Sequence, residues 1–139
     1  METLAVPARL QVEDLLLDWK DVFENRKPEY LLRYYHPDAV LWGAFSDRMR
    51  ATPNQILDYY KKLFEADHLK IFFCDQHIFL AGDTAIADGV MRMEFDHNSE
   101  HEVHIFRYSF SLIKTGKGWL IINQHTSAFP GKKGFEFLN

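Results

Sequence analysis

The stretch Glu102-Val103-His104-Ile105-Phe106-Arg107-Tyr108-Ser109-Phe110-Ser111-Leu112-Ile113-Lys114 decides the fold. Its side chains alternate with a period of two, so it reads as a strand. Val103, Ile105, Arg107, Ser109 and Ser111 share one face, and His104, Phe106, Tyr108, Phe110 and Leu112 the other. Similar segments flank it. Lys70 to Leu80 closes in Ala81-Gly82-Asp83, and Thr84 to Asp96 closes in His97-Asn98-Ser99-Glu100. Beyond the turn Thr115-Gly116-Lys117-Gly118, a last strand runs from Trp119 to Phe129, before Pro130-Gly131. Strands of about 11 residues are roughly twice the ordinary length, and long antiparallel sheets bend through twist and bulges.

The period is different upstream. Leu10, Val12, Leu15, Leu16, Trp19, Val22 and Phe23 recur at three- and four-residue steps and predict an amphipathic helix over about 9–25. Pro28 starts a second short helix through Tyr34, ended by His36-Pro37. Residues 38–45 read as a strand, followed by turn chemistry at Ser46-Asp47. Thr52, Pro53 and Gln55 form a capping box for a helix over about 53–66. Helices followed by a run of strands are the α+β pattern, in one domain over residues 1–139. Helices laid across the concave side of a bent antiparallel sheet would leave a cone, with Gly131-Lys132-Lys133-Gly134 as a loose tail.

Composition narrows the function classes. The formal charge is −4, and no block of Lys or Arg offers the basic face that nucleic acids or anionic membranes need. No apolar run approaches a membrane span, the first residues lack a signal-peptide core, and a single cysteine permits no intrachain disulfide; the expected compartment is the cytoplasm. Cys74 reads as an ordinary buried thiol. No metal or other cofactor is expected: the closest histidines, His101 and His104, fall on opposite faces of their strand, and neither a His-Glu-x-x-His motif nor a paired Cys-x-x-Cys exists.

Twelve Phe, six Tyr and three Trp exceed the needs of one small core, so part of them is expected to line a cavity. On the last strand, alternation groups Trp119, Ile121, Asn123, His125 and Ser127. With that face and the Arg107 face turned inward, the cone would hold a guanidinium, an imidazole and hydroxyls suited to a small anion. The alternative is Arg107 paired internally with Asp38, Asp88 or Glu94. His125 fits a structural or a functional role equally. Asp38 is a candidate ligand or general base, or a binder of turn amides. Trp42, Tyr59 and Phe129 lie near the proposed opening. The opposite sheet face, with Phe106, Tyr108, Phe110, Leu120 and Ile122, is too apolar for water and is expected to dock a second copy in a homodimer or larger homo-oligomer.

Several segments together resemble one family. They are Tyr35-His36-Pro37-Asp38-Ala39-Val40-Leu41, Arg50-Ala51-Thr52-Pro53 with Ile56 and Asp58-Tyr59-Tyr60, Ile105-Phe106-Arg107-Tyr108-Ser109-Phe110, and Gly118-Trp119-Leu120-Ile121 leading to Gln124-His125-Thr126-Ser127-Ala128-Phe129-Pro130. In this order they resemble the nuclear transport factor 2-like, cystatin-like cone. Within it the resemblance is to SnoaL-like, free-standing bacterial relatives of the calcium/calmodulin-dependent protein kinase II association domain. The resemblance implies an α+β barrel and a cavity into which Arg50 and Arg107 point, with His125, Ser127 and Pro130 retained from a conserved ending. One similar branch comprises metal-free carbonic anhydrases of the iota type. It implies hydroxyl roles for Tyr59 and Ser127, while its first-strand threonine falls at Ala44. Two function classes follow: a small-molecule, anion-binding or oligomerising cone, or a lyase, isomerase or cyclase using His125, Ser127, Tyr59 or a carboxylate.

Overall fold

The computed structural model describes residues 6–130. The expectations for the first residues and for the loose tail lie outside them.

Helix α1 (Ala8–Glu24) buries Val12, Leu16, Trp19 and Phe23, one stripe at four-, three- and four-residue steps. Pro28 opens α2 (Pro28–Leu31), which tightens into a single 3-10 turn over Leu32–Tyr34. Strand β1 (Tyr35–Trp42) starts and ends three residues earlier than the sequence suggests. The reason is non-local: β1 pairs in parallel with the last strand, with Tyr35 opposite Ile121 and Trp42 opposite His125. A two-residue strand, β2 (Met49–Arg50), pairs back onto β1.

Helix α3 (Pro53–Leu63) has the expected cap. Thr52 Oγ1 accepts from the Gln55 amide at 3.2 Å, and Gln55 Oε1 accepts from the amide of Ala51 at 2.8 Å. The helix stops at Leu63, three residues before the expected end. Four long strands follow: β3 (Asp67–Ala81), β4 (Thr84–His97), β5 (Glu100–Thr115) and β6 (Gly118–Ala128). The sheet order is β2-β1-β6-β5-β4-β3, antiparallel apart from the β1–β6 pair. Asn98 and Ser99, at φ +51° and +65°, make the tight turn between β4 and β5.

Four register shifts interrupt this sheet, and two of them decide where the candidate residues face. In β3 the register skips Cys74, between pairs Phe73–Met91 and Asp75–Val90. Facing it, Gly89 has φ +155°, and a Cβ there would stand 1.9 Å from the Asp75 carbonyl oxygen. Cys74 is exposed as a result, contrary to the buried thiol expected. In β6 the register skips Ile122: Leu112 pairs with Ile121, but Ser111 pairs with Asn123.

The second bulge corrects the reading of both faces. Because the side-chain period is two, one extra residue reverses everything after it. Trp119 and Ile121 point into the core, but beyond the bulge Gln124 and Thr126 do so, and His125 is exposed. On β5 the inward face is Phe106, Tyr108, Phe110 and Leu112. These side chains are core against α1, with Trp19 edge-on to Phe110 at 5.2 Å, so they do not form the outer docking face expected of them.

Candidate functional site

The sequence-derived candidates fall into two groups on opposite sides of the sheet. Arg107, His125, Ser127 and Trp42 are neighbours, but on the convex face. Arg107 lies opposite Ser127, and His125 lies between Ser109 and Trp42. Arg107, His125 and Trp42 are exposed. The Arg107 guanidinium sits 5.1 Å from the centre of the Phe129 ring, a cation–π contact, and pairs with no carboxylate among the described residues. The Ile122 bulge and the inward turn of the Phe106 face are why the expected inward constellation does not form. Asp38 is at the surface; its amide donates to His36 Nδ1 at 3.0 Å, in place of the turn-amide role expected of its carboxylate.

Arg50 and Tyr59 are in the concave part. They line an open cleft of about 350 Å³ at the mouth of the cone, together with Phe45, Ser46, Lys62, Glu65, Phe95, His97 and Glu102. The loop between β1 and β2 supplies Phe45 and Ser46, strand β2 supplies Arg50, α3 supplies Tyr59 and Lys62, Glu65 lies just past the end of α3, and β4 and β5 supply Phe95, His97 and Glu102. The Arg50 guanidinium reaches Asp58 at 3.3 Å, Ser46 Oγ at 3.3 Å and the Gln55 carbonyl at 3.5 Å, all long contacts. Its side chain is only 16% exposed, and among the described residues its buried Nε has no acceptor. Hydrogen bonding to Lys62, foremost, and contact with Arg50 hold the Asp58 carboxyl below the usual carboxylate range. Burial raises the Tyr59 hydroxyl, partly offset by the Phe45 amide that donates to it at 3.5 Å and by Arg50.

Behind Tyr59 the cone narrows to a space of about 20 Å³, room for about one water, beside Tyr60, Gln124 and Thr126. A buried polar chain forms its floor. Trp19 Nε1 donates to the Tyr35 hydroxyl at 3.1 Å, and the Tyr35 and Tyr60 hydroxyls lie 2.6 Å apart. Both bond Gln124 Oε1, Tyr60 at 3.2 Å. Burial pushes both phenols well above their ordinary range. Gln124 was missed by alternation because it follows the bulge.

Glu102 was also missed. Its carboxylate bonds His104 Nε2 at 3.0 Å and stands 3.8 Å from His97 Nδ1. Among the described residues no group of three or more His, Cys, Asp or Glu side chains is placed to hold a metal ion. No helix there is long and apolar enough to cross a membrane.

This chain belongs to the SnoaL-like domain family, whose sequence model matches residues 12–131. Its structure is similar to that of a Xanthomonas campestris protein named for the calcium/calmodulin-dependent protein kinase II association domain, at 29% identity and a TM-score of 0.81, covering 94% of this chain and 96% of that one. A nuclear transport factor 2-like superfamily protein of Salmonella enterica (16% identity, TM-score 0.80, 91% and 94% covered) shares the fold. So does a ketosteroid isomerase-like protein of Erwinia carotovora (14% identity, TM-score 0.74, 88% and 96% covered). No curated protein matches the sequence.

Proposed function

We propose that this protein binds a small organic anion at the mouth of its cone, on Arg50, with Tyr59 as the inner wall. The observation that carries this reading is the Arg50 side chain itself: largely withdrawn from water, lining a cleft of ligand size, held only by long contacts, and with a buried Nε that has no acceptor among the described residues. A carboxylate in the cleft would accept from the terminal guanidinium nitrogens, whose protein contacts are all long, and the reduced dielectric strengthens such a charge-assisted pair. The test is thermal unfolding with small carboxylates and bicarbonate, since a ligand of the folded state raises stability by mass action. Arg50→Gln abolishes the shift and Arg107→Gln leaves it; the reverse pattern overturns the reading.

A second reading, an isomerase or lyase at the same cleft, is favoured by Glu102, a carboxylate hydrogen-bonded to one imidazole and near another, an arrangement that can accept and pass on a proton. The iota-type pairing of Tyr59 with Ser127 has less support, because the two lie on opposite faces of the sheet.

The proposed homodimer moves to the convex face as it stands, where Trp42, Val103, Ile105 and Phe129 are exposed. Light scattering that gives a monomer at micromolar concentration removes it. Cys74, the one cysteine of the chain, is exposed and suits a reducing compartment such as the cytoplasm.

A further inference from the structure

We infer that the ligand of this cleft is a flat aromatic carboxylate, its ring packed against Phe45 and Phe95 while its carboxylate meets Arg50; the inference rests on the anion-site reading above. The wall opposite Arg50 is an aromatic ladder. Phe95 stacks on His104, with ring centroids 5.4 Å apart and planes 11° from parallel, and His104 stacks on Phe106 at 5.8 Å and 7°. Glu102 fixes the middle ring through His104 Nε2. Phe45 stands edge-on to all three, 5.9 Å from Phe95, 5.2 Å from His104 and 5.4 Å from Phe106.

Two features make this wall a binding surface as well as packing. Phe45 and Phe95 both line the cleft, and Phe45 is 43% exposed although it touches three rings. A large apolar side chain held at a cleft mouth in contact with water gains from a second partner, and another ring gives the most, since aromatic pairs exceed their area term. The lining is mixed in charge, with Arg50 and Lys62 on the β2 and α3 side, Glu65 just past the end of α3 and Glu102 on the β5 side. The carboxylate is therefore assigned to Arg50, the lining cation that is largely withdrawn from water. A cleft of about 350 Å³ accommodates a two-ring acid.

The test titrates the full chain with 2-naphthoate, its saturated counterpart decahydro-2-naphthoate, and the neutral 2-naphthamide, by calorimetry. The aromatic acid binds at least about tenfold more tightly than the saturated one. Phe95→Leu removes that difference while the saturated acid keeps its affinity. Should this buried substitution prevent folding, Phe45→Leu on the exposed ring reports the same loss. Arg50→Gln weakens both acids. Equal affinity for the two acids, still lost in Arg50→Gln, overturns the aromatic class and leaves the anion site standing. No binding of either acid, or naphthamide binding as tightly as naphthoate, overturns both.

Discussion

The phenol ring of Tyr59 rests on the bare Cα of Gly43, so closely that a Cβ there would stand 2.3 Å from Tyr59 Cζ. This contact fixes the wall between the mouth cleft and the narrow space behind it, since Tyr59 lines both. Gly43→Ala therefore displaces the ring into one of them. Overpacking of this kind costs about 1–3 kcal/mol. The expected result is a lower denaturant midpoint together with weaker carboxylate binding; unchanged binding would show that Tyr59 does not shape the site.

Gly89 is constrained by backbone, which yields less than a ring. A Cβ would meet the Asp75 carbonyl, and φ +155° is strained for any other residue. Gly89→Ala is expected to destabilise by on the order of 3 kcal/mol. Urea unfolding measures it, and a midpoint within error of the wild type would contradict the account of how the sheet bends.

At the hairpin end of β4 and β5, His101 lies between Asp96, at 2.8 Å, and Glu94, at 3.1 Å. Asp96 foremost raises the His101 pKa, and His101 in turn lowers that of Asp96, which also receives His68. The raised imidazole contributes stability below its unfolded value of 6.5, lost as pH rises through its folded value. The lowered carboxyl contributes above 3.8, lost as pH falls through its folded value. The effect of His101→Gln on the unfolding midpoint is thus expected to be largest between the two ordinary values, 3.8 and 6.5, and to fade as pH rises through the raised value of the folded imidazole. A pH-independent difference would contradict this.

The tyrosines set an alkaline limit. Burial raises Tyr35 and Tyr60, and pushes Tyr108 up to about 12. Folded, these phenols keep protons that the unfolded chain releases near pH 10, so stability falls as pH rises beyond that value. Phenolate absorbance and circular dichroism are expected to change together; ionisation of these tyrosines with native dichroism retained would contradict it.

Much of this fold was legible because its signals are local. The four-three-four spacing of α1, the Thr52 cap and the Asn98-Ser99 turn are each contained within a few residues. The site was only partly legible. Arg50 and Tyr59 came through family resemblance, whereas His125 and Ser127 were assigned inward by an alternation that Ile122 interrupts, and Arg107 by choosing the wrong face of β5 as the inner one. That bulge is a property of pairing with β5 and is invisible in β6 alone. Glu102, Phe45 and Phe95 were missed because a cleft mouth gathers the ends of separate elements, which no spacing rule joins.

The most direct test of the central claim is a crystal structure of the protein grown with 2-naphthoate or a smaller carboxylate. The account predicts carboxylate density in the mouth cleft within hydrogen-bond reach of the terminal nitrogens of Arg50. Density on Arg107 at the convex face, with the mouth cleft empty, would contradict it.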